Sequence, residues 1–414
     1  MAGTTSGEMT GLNKLAEGLV LSPFTRLQRL LDAIAPGNPK TIIMTAGDPT
    51  EKFPGFVVEK LAEAEATLGS YPKIRGSDEL RQAIAEWIGR RYGMAGGIDP
   101  MREIHPLNGS REGLFFAAMV AVGRKRAEAL NGGKPVIVMP NPLYQAYLGA
   151  AYGTNAEIRL LNATEETGHL PDLDALERDE ATLKRTAAFY LCSPANPQGA
   201  MASAAYISRA LALARKYDFM LLFDECYSEI YNGEAPIGGL EVAVKTPERF
   251  KNIIVFNSLS KRSNLPGMRS GLAAGDGDFL ETFAEIRNLT APQMPGPIQH
   301  ASAAVWSEEQ HAGRIRQAYR DKFDVADQVI GSRFGYRRPA GGFFLWLKMA
   351  HLGGGTNATV TLWKEAGVKV TPGAFLAQDD PNGFNPGKDY IRVALVHDVG
   401  TIREALTRLV QVTA

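Results

Sequence analysis

Apolar residues in the middle of the chain gather in short, nearly unbroken runs, at residues 136–139, 157–161, 187–192, 219–224, 253–257 and 272–274. Runs that do not alternate with polar residues predict strands covered on both faces, and therefore a largely parallel sheet. Alanine-rich stretches of helical period, such as residues 204–216, separate several of them. The stretch 114–122 is apolar on every side, which predicts a buried helix. Strands alternating with helices give an α/β layer architecture. The pattern changes toward the C-terminus, where strands are predicted at 342–348, 367–370 and 390–396 between glycine-rich or polar loops, with a closing helix from about Gly400. The expected division is a large domain over residues 46–305 and a smaller α+β domain from residues 1–45 and 306–414.

Composition narrows the function classes. Lys plus Arg equals Asp plus Glu, 45 of each, so no overall field draws the protein to nucleic acid or an anionic membrane. The longest apolar run is far short of the ~20 residues that span a bilayer, and residues 1–7 carry no signal-peptide pattern. A cytoplasmic protein is expected. The two cysteines, Cys192 and Cys226, are too few for a disulfide framework and read as inert core residues. The six histidines show no metal-ligand spacing, so no metal is expected. Gly275-Asp-Gly277 lacks the third glycine of a dinucleotide fingerprint, and no Gly-x-Ser-x-Gly elbow occurs.

The chemistry lies where strands end, because ligands of open α/β sheets gather beyond the carboxyl ends. The run at 187–192 is followed by Ser193-Pro-Ala-Asn196-Pro, the next ends in Asp224-Glu-Cys-Tyr227, and the run at 253–257 leads into Ser258-Leu-Ser-Lys261-Arg-Ser-Asn-Leu-Pro-Gly267. A carboxylate closing an apolar strand needs a cation, and an arginine inside the apolar strand Tyr390-Ile-Arg392-Val-Ala needs an anion. Gly109-Ser110-Arg111 precedes the buried helix, a place where free backbone N–H groups suit an anion.

These residues resemble the class I and II aminotransferases of pyridoxal-phosphate fold type I, over nearly the whole chain. The resemblance implies a mostly parallel seven-stranded sheet and pyridoxal 5′-phosphate as cofactor. Lys261 resembles the lysine that holds the cofactor aldehyde, and Asp224 the carboxylate that keeps the pyridine nitrogen protonated. Tyr227 and Asn196 resemble the partners of the ring oxygen. Ser110, Arg111, Ser258, Ser260 and Arg269 resemble the phosphate ligands, and Tyr144 the aromatic that stacks on the ring. Tyr71 resembles the tyrosine that reaches the phosphate of a neighbouring subunit, which implies a homodimer with shared sites. Arg392 and Gly47, with Asn196, resemble the groups that hold the substrate α-carboxylate. The implied reaction exchanges an amino group between amino acids and keto acids, with Lys261 moving the α-proton.

Within the family, Leu107–Leu114, Cys192–Gly199, Asp224–Ile230, Ser258–Gly267 and Asn385-Pro-Gly387 are most similar to the bacterial succinyldiaminopimelate transaminases of lysine biosynthesis. That resemblance implies glutamate as amino donor. Asn288-Leu-Thr-Ala-Pro292 departs from it, where an aromatic-rich turn is expected. A second carboxylate on each substrate calls for another cation, with Arg26, Lys73, Arg75 and Arg262 as candidates. A broad-range or aromatic aminotransferase, or a C–S lyase on the same cofactor, shares this machinery. An aminotransferase-like effector domain of a transcription regulator is disfavoured, because the first 40 or so residues carry neither a helix-turn-helix pattern nor a basic cluster.

Overall fold

The computed structural model describes residues 13, 14, 17, 21–94 and 96–414. Residues 1–7, in which the sequence shows no signal-peptide pattern, lie outside the described residues. The central sheet has seven strands: β2 (Ile104–Leu107), β3 (Val136–Asn141), β4 (Glu157–Asn162), β5 (Thr186–Cys192), β6 (Met220–Asp224), β7 (Ile253–Ser258) and β8 (Gly271–Gly275), in spatial order β2-β8-β7-β6-β5-β3-β4. The five strands β4, β3, β5, β6 and β7 pair in parallel, whereas β8 is antiparallel to both of its neighbours. β3, β5, β6 and β7 are buried along their whole length, as unalternating apolar runs require, with helices on both faces.

β2 is the strand of this sheet that the hydrophobic pattern misses. Its four residues, Ile-His-Pro-Leu, include a proline that cannot donate to a ladder, and the strand survives because it lies at the sheet edge. It matters for function. Because β8 runs against both β7 and β2, the carboxyl end of β2 and the amino end of β8 arrive at the same edge as the carboxyl end of β7: Ser258 and Leu107 both stand opposite Gly271.

A second sheet of three antiparallel strands, β9 (Phe344–Lys348), β12 (Tyr390–Ala394) and β11 (Thr371–Pro372), packs with helices Gln310–Ile330 and Val399–Thr413. Strand β1 (Ile42–Ile43) pairs in parallel with β10 (Val368–Lys369) beside it. The core here contains Phe323, Leu345, Val368, Ile391, Val393 and Leu406. Trp306, where the smaller domain was expected to begin, instead packs on Trp87 in the large core, with ring centroids 4.6 Å apart. A third cluster, including Tyr227, Tyr319, Phe343, Phe344 and Ala394, joins the end of β6 to the faces of β9 and β12. No helix among the described residues is long and apolar enough to cross a membrane, and no metal-competent cluster of His, Cys, Asp and Glu occurs among them.

Candidate active site

Register brings the three strand ends together. Cys192 of β5 stands opposite Asp224 of β6, and Asp224 opposite Phe256 of β7. The Asp224 carboxylate is 5% exposed, accepts hydrogen bonds from the Tyr147 hydroxyl (2.9 Å) and the Cys226 amide (3.1 Å), and has no cation within ion-pair distance among the described residues. Burial raises its pKa, and the two hydrogen bonds oppose that rise. Tyr147 is a site residue that the sequence reading missed. It follows Tyr144 at one-turn spacing, stacks on Tyr190 at 4.3 Å, and thereby fixes its donor to the carboxylate; Tyr190 in turn bonds the Leu114 carbonyl at 2.7 Å.

Lys261 sits on the single turn Leu259–Arg262 that follows β7. Its ammonium donates to the Gly47 carbonyl and lies 5.5 Å from the Phe343 ring centroid. Burial pushes the amine down to about 8; Asp48 opposes this, and the Arg392 and Arg111 guanidiniums add to it. Arg392 lies in β12, where the period of two turns Ile391 and Val393 into the smaller core and Arg392 toward the large domain. Its Nη1 donates to Asn196 Oδ1 (3.2 Å) and its Nη2 to the Thr45 carbonyl (2.8 Å), while its plane lies 4.4 Å from the Phe344 ring. Its Nε is buried without a partner, no carboxylate pairs with it among the described residues, and burial lowers its pKa to about 10. A structural ion pair at Arg392 is therefore not what the fold builds among the described residues. Tyr227, also buried, packs edge-on to Phe343 and Phe344, and burial raises its hydroxyl pKa.

Beside the lysine is a cradle of donors. Gly109 (φ +87°) opens the helix Ser110–Arg124, whose first turn has no side-chain cap. A Cβ at Gly109 would stand 2.2 Å from Arg269 Nη2, so glycine is required for the arginine to lie across this turn. Arg269 itself bonds the carbonyls of Pro266 (2.8 Å) and Asn108 (3.2 Å) and has no carboxylate partner among the described residues. The Ser258 hydroxyl caps the Lys261 turn through the Ser260 amide and lies 2.9 Å from Ser260 Oγ and 3.0 Å from the Ser270 carbonyl. Arg111 Nε donates to the Tyr144 hydroxyl at 2.7 Å.

Two expectations are corrected here. Cys226, expected as an inert core residue, lies past the end of β6 and its Sγ donates to Ser110 Oγ at 3.0 Å, so it borders the cradle. Cys192 is buried at the end of β5, and burial raises its thiol pKa. Arg262 cannot serve a substrate carboxylate. Its guanidinium is buried between Trp87 and Trp306 (5.7 and 5.2 Å), paired with Glu309 at 2.8 Å, and bonded to the Val305 and Glu308 carbonyls. Of the other distal candidates, Arg75 pairs with Glu281 at 2.6 Å and Lys73 with Asp78 at 3.6 Å. Tyr71 stands 99% exposed on its own chain.

A buried acid without a cation, a buried arginine without an anion, a depressed amine and a donor cradle form one set of unmet demands. They fit pyridoxal phosphate: an aldehyde for Lys261, a ring nitrogen for Asp224, a phosphate for the turn at Gly109–Ser110 and Arg269. Modification of the cofactor-free protein by a small aldehyde and hydride donor tests the amine directly. Lys261 should react half-maximally near pH 8, because its neutral form dominates above that pH, whereas solvated lysines should need a pH above about 10. Mass spectrometry across pH reads the difference, and a Lys261 profile matching surface lysines would contradict the burial argument.

Residues 39–409 match the family model described as Aminotransferase class I and II. The chain is 29% identical to an LL-diaminopimelate aminotransferase of Nitratidesulfovibrio vulgaris, over 96% of this chain and 98% of the relative. Among solved structures, an aminotransferase from Neisseria meningitidis superposes with a TM-score of 0.89 at 36% identity, covering 97% of this chain and 100% of that one. A Thermus thermophilus protein described as a probable N-succinyldiaminopimelate aminotransferase shares the fold, with a TM-score of 0.79 at 24% identity over 94% of this chain and 100% of its own.

Proposed function

Since this chain belongs to the class I and II aminotransferases, and so uses pyridoxal phosphate, we propose that it transfers the amino group between glutamate and the keto acid of a diaminopimelate derivative, most specifically the N-succinylated one. The observation that carries the transaminase reading is Arg392: a buried guanidinium with an unsatisfied Nε and no protein carboxylate is suited to the α-carboxylate of an amino acid. Asn196 orients it from one side and Thr45 from another, so a carboxylate docked there would hold its α-carbon in reach of Lys261.

The chain's own residues then have distinct tasks. Lys261, poised near pH 8 by burial, takes and returns the α-proton at its Nζ. Asp224, its geometry fixed by Tyr147, would keep the ring nitrogen of the bound cofactor protonated. The Gly109–Ser110 turn and Arg269 would hold the phosphate, with Ser258 and Ser260 shaping the lysine turn beside it. The bound cofactor supplies an electron sink for the negative charge left at the α-carbon. Phe343 and Phe344 give this volume an apolar wall beside Lys261 and Arg392.

Two substrate forms compete. The succinylated compound is favoured by the segments around Lys261 and Asn385-Pro-Gly387, and the unmodified LL-isomer by the relative from N. vulgaris. A half-reaction screen decides between them: the loaded enzyme is mixed with glutamate, each diaminopimelate form, and aromatic and sulfur amino acids, and the absorbance change of the cofactor is followed. The expected result is rapid conversion with glutamate and the succinylated compound. Conversion with aromatic amino acids alone, or release of pyruvate and ammonia from a sulfur amino acid, would overturn the assignment. We also infer a homodimer, supported by Tyr71 and Leu68 standing 99% and 71% exposed on one segment; sedimentation at the mass of one 44.8 kDa chain would refute it.

A further inference from the structure

We propose that Arg26 is the specificity-determining cation, the group that binds the distal carboxylate of a dicarboxylic substrate. This rests on the dicarboxylate reading above and asks which residue enforces it. Arg262 is buried against Glu309, whereas Lys73 and Arg75 lie in surface ion pairs with Asp78 and Glu281 of their own chain. Arg26 has no carboxylate within ion-pair distance and no side-chain hydrogen bond among the described residues.

Its position is built into the fold. Arg26 lies on the helix Pro23–Leu31, which starts at a Ser22 cap followed by proline and buries Pro23, Leu27 and Leu31. That helix packs on β11 and on the turn Gly373–Phe375 that follows it. β11 is the direct neighbour of β12, with Thr371 opposite Arg392. The same turn reaches the Tyr144 loop, because the Leu143 amide donates to the Leu376 carbonyl at 3.0 Å. The Phe375 turn under the Arg26 guanidinium is therefore the segment that joins its helix to the strand beside Arg392 and to the residue before Tyr144.

The side chain is also prepared for an anion. Its guanidinium carbon lies 4.1 Å from the Phe375 ring centroid, which fixes the plane by a cation–π contact and leaves the N–H edge available. Burial lowers its pKa, and Asp379 opposes that at longer range; Asp379 is itself held by Asn385 Nδ2 at 2.9 Å. A half-buried, preoriented arginine gives a carboxylate a charge-assisted fork at low ordering cost.

The test compares half-reactions of the loaded enzyme with glutamate and with alanine, which differ by the distal carboxylate. In Arg26→Gln, apparent affinity for glutamate should fall by about 10- to 100-fold, the value of a charge-assisted contact. The alanine reaction should change by less than about twofold, since Arg392 and Lys261 are untouched, and Arg26→Lys should recover part of the loss. A glutamate preference that survives in Arg26→Gln overturns this assignment alone, as does an equal loss with both amino acids. A wild-type enzyme that does not prefer glutamate to alanine overturns the dicarboxylate reading and this assignment with it.

Discussion

Replacing Lys261 by alanine is expected to lower turnover by about 10⁴-fold or more, the upper end of what a positioned proton-transfer group supplies. The same change should remove the absorbance band of lysine-bound cofactor. The expectation follows from placement: Lys261 has its amine pushed down to about 8 by burial and pairs with no carboxylate among the described residues, so its neutral form is accessible near neutral pH. Folding should survive, because the substitution takes a partly buried charge out of an apolar surround that includes Phe343. Circular dichroism and a thermal melt separate a lost reaction from a lost fold. Retained transamination in a folded Lys261→Ala protein would defeat the whole assignment.

The second large effect is expected at Asp224, and it has opposite signs in the two states of the protein. Without cofactor, the carboxylate is buried beside hydrogen-bond donors only, and its pKa is raised by burial. The folded chain then holds this proton more tightly than the unfolded chain does. Stability from that proton is present at low pH and is lost as pH rises through the raised value. At neutral pH the ionised form therefore destabilises the cofactor-free fold, and Asp224→Asn should raise its melting temperature by about 2 °C or more. In the proposed complex the cofactor ring would give the carboxylate a cationic partner. Losing one member of a buried pair costs about 3–5 kcal/mol, so activity should fall by about 10²- to 10⁴-fold. Melts of both forms and steady-state rates check the two signs; a lower melting temperature of the cofactor-free variant would contradict the burial argument.

What could be read from the sequence follows from the physics of each element. Strands β3, β5, β6 and β7 are covered on both faces, so their apolar runs identify them to within about two residues. β2 escaped because a proline and a histidine interrupt a four-residue edge strand, and only its pairing with β8 makes it a strand. Lys261, Asp224, Asn196 and Arg392 stand out because polar groups that close or interrupt apolar strands carry a cost that invites explanation. Tyr147 did not, because an aromatic on a helix looks the same whether it fills space or holds a carboxylate. Arg262 misled for the converse reason: an arginine beside the key lysine suggests a ligand, while its carbonyl, tryptophan and glutamate partners come from elements far along the chain or well before it.

That arginine has a mechanical consequence. Bolted between two indoles and the start of the helix Gln310–Ile330, it anchors the peptide immediately after the lysine. The lysine thus stands on a turn tied at its far end to the large core, and the reach of its ε-nitrogen is set by its own side chain.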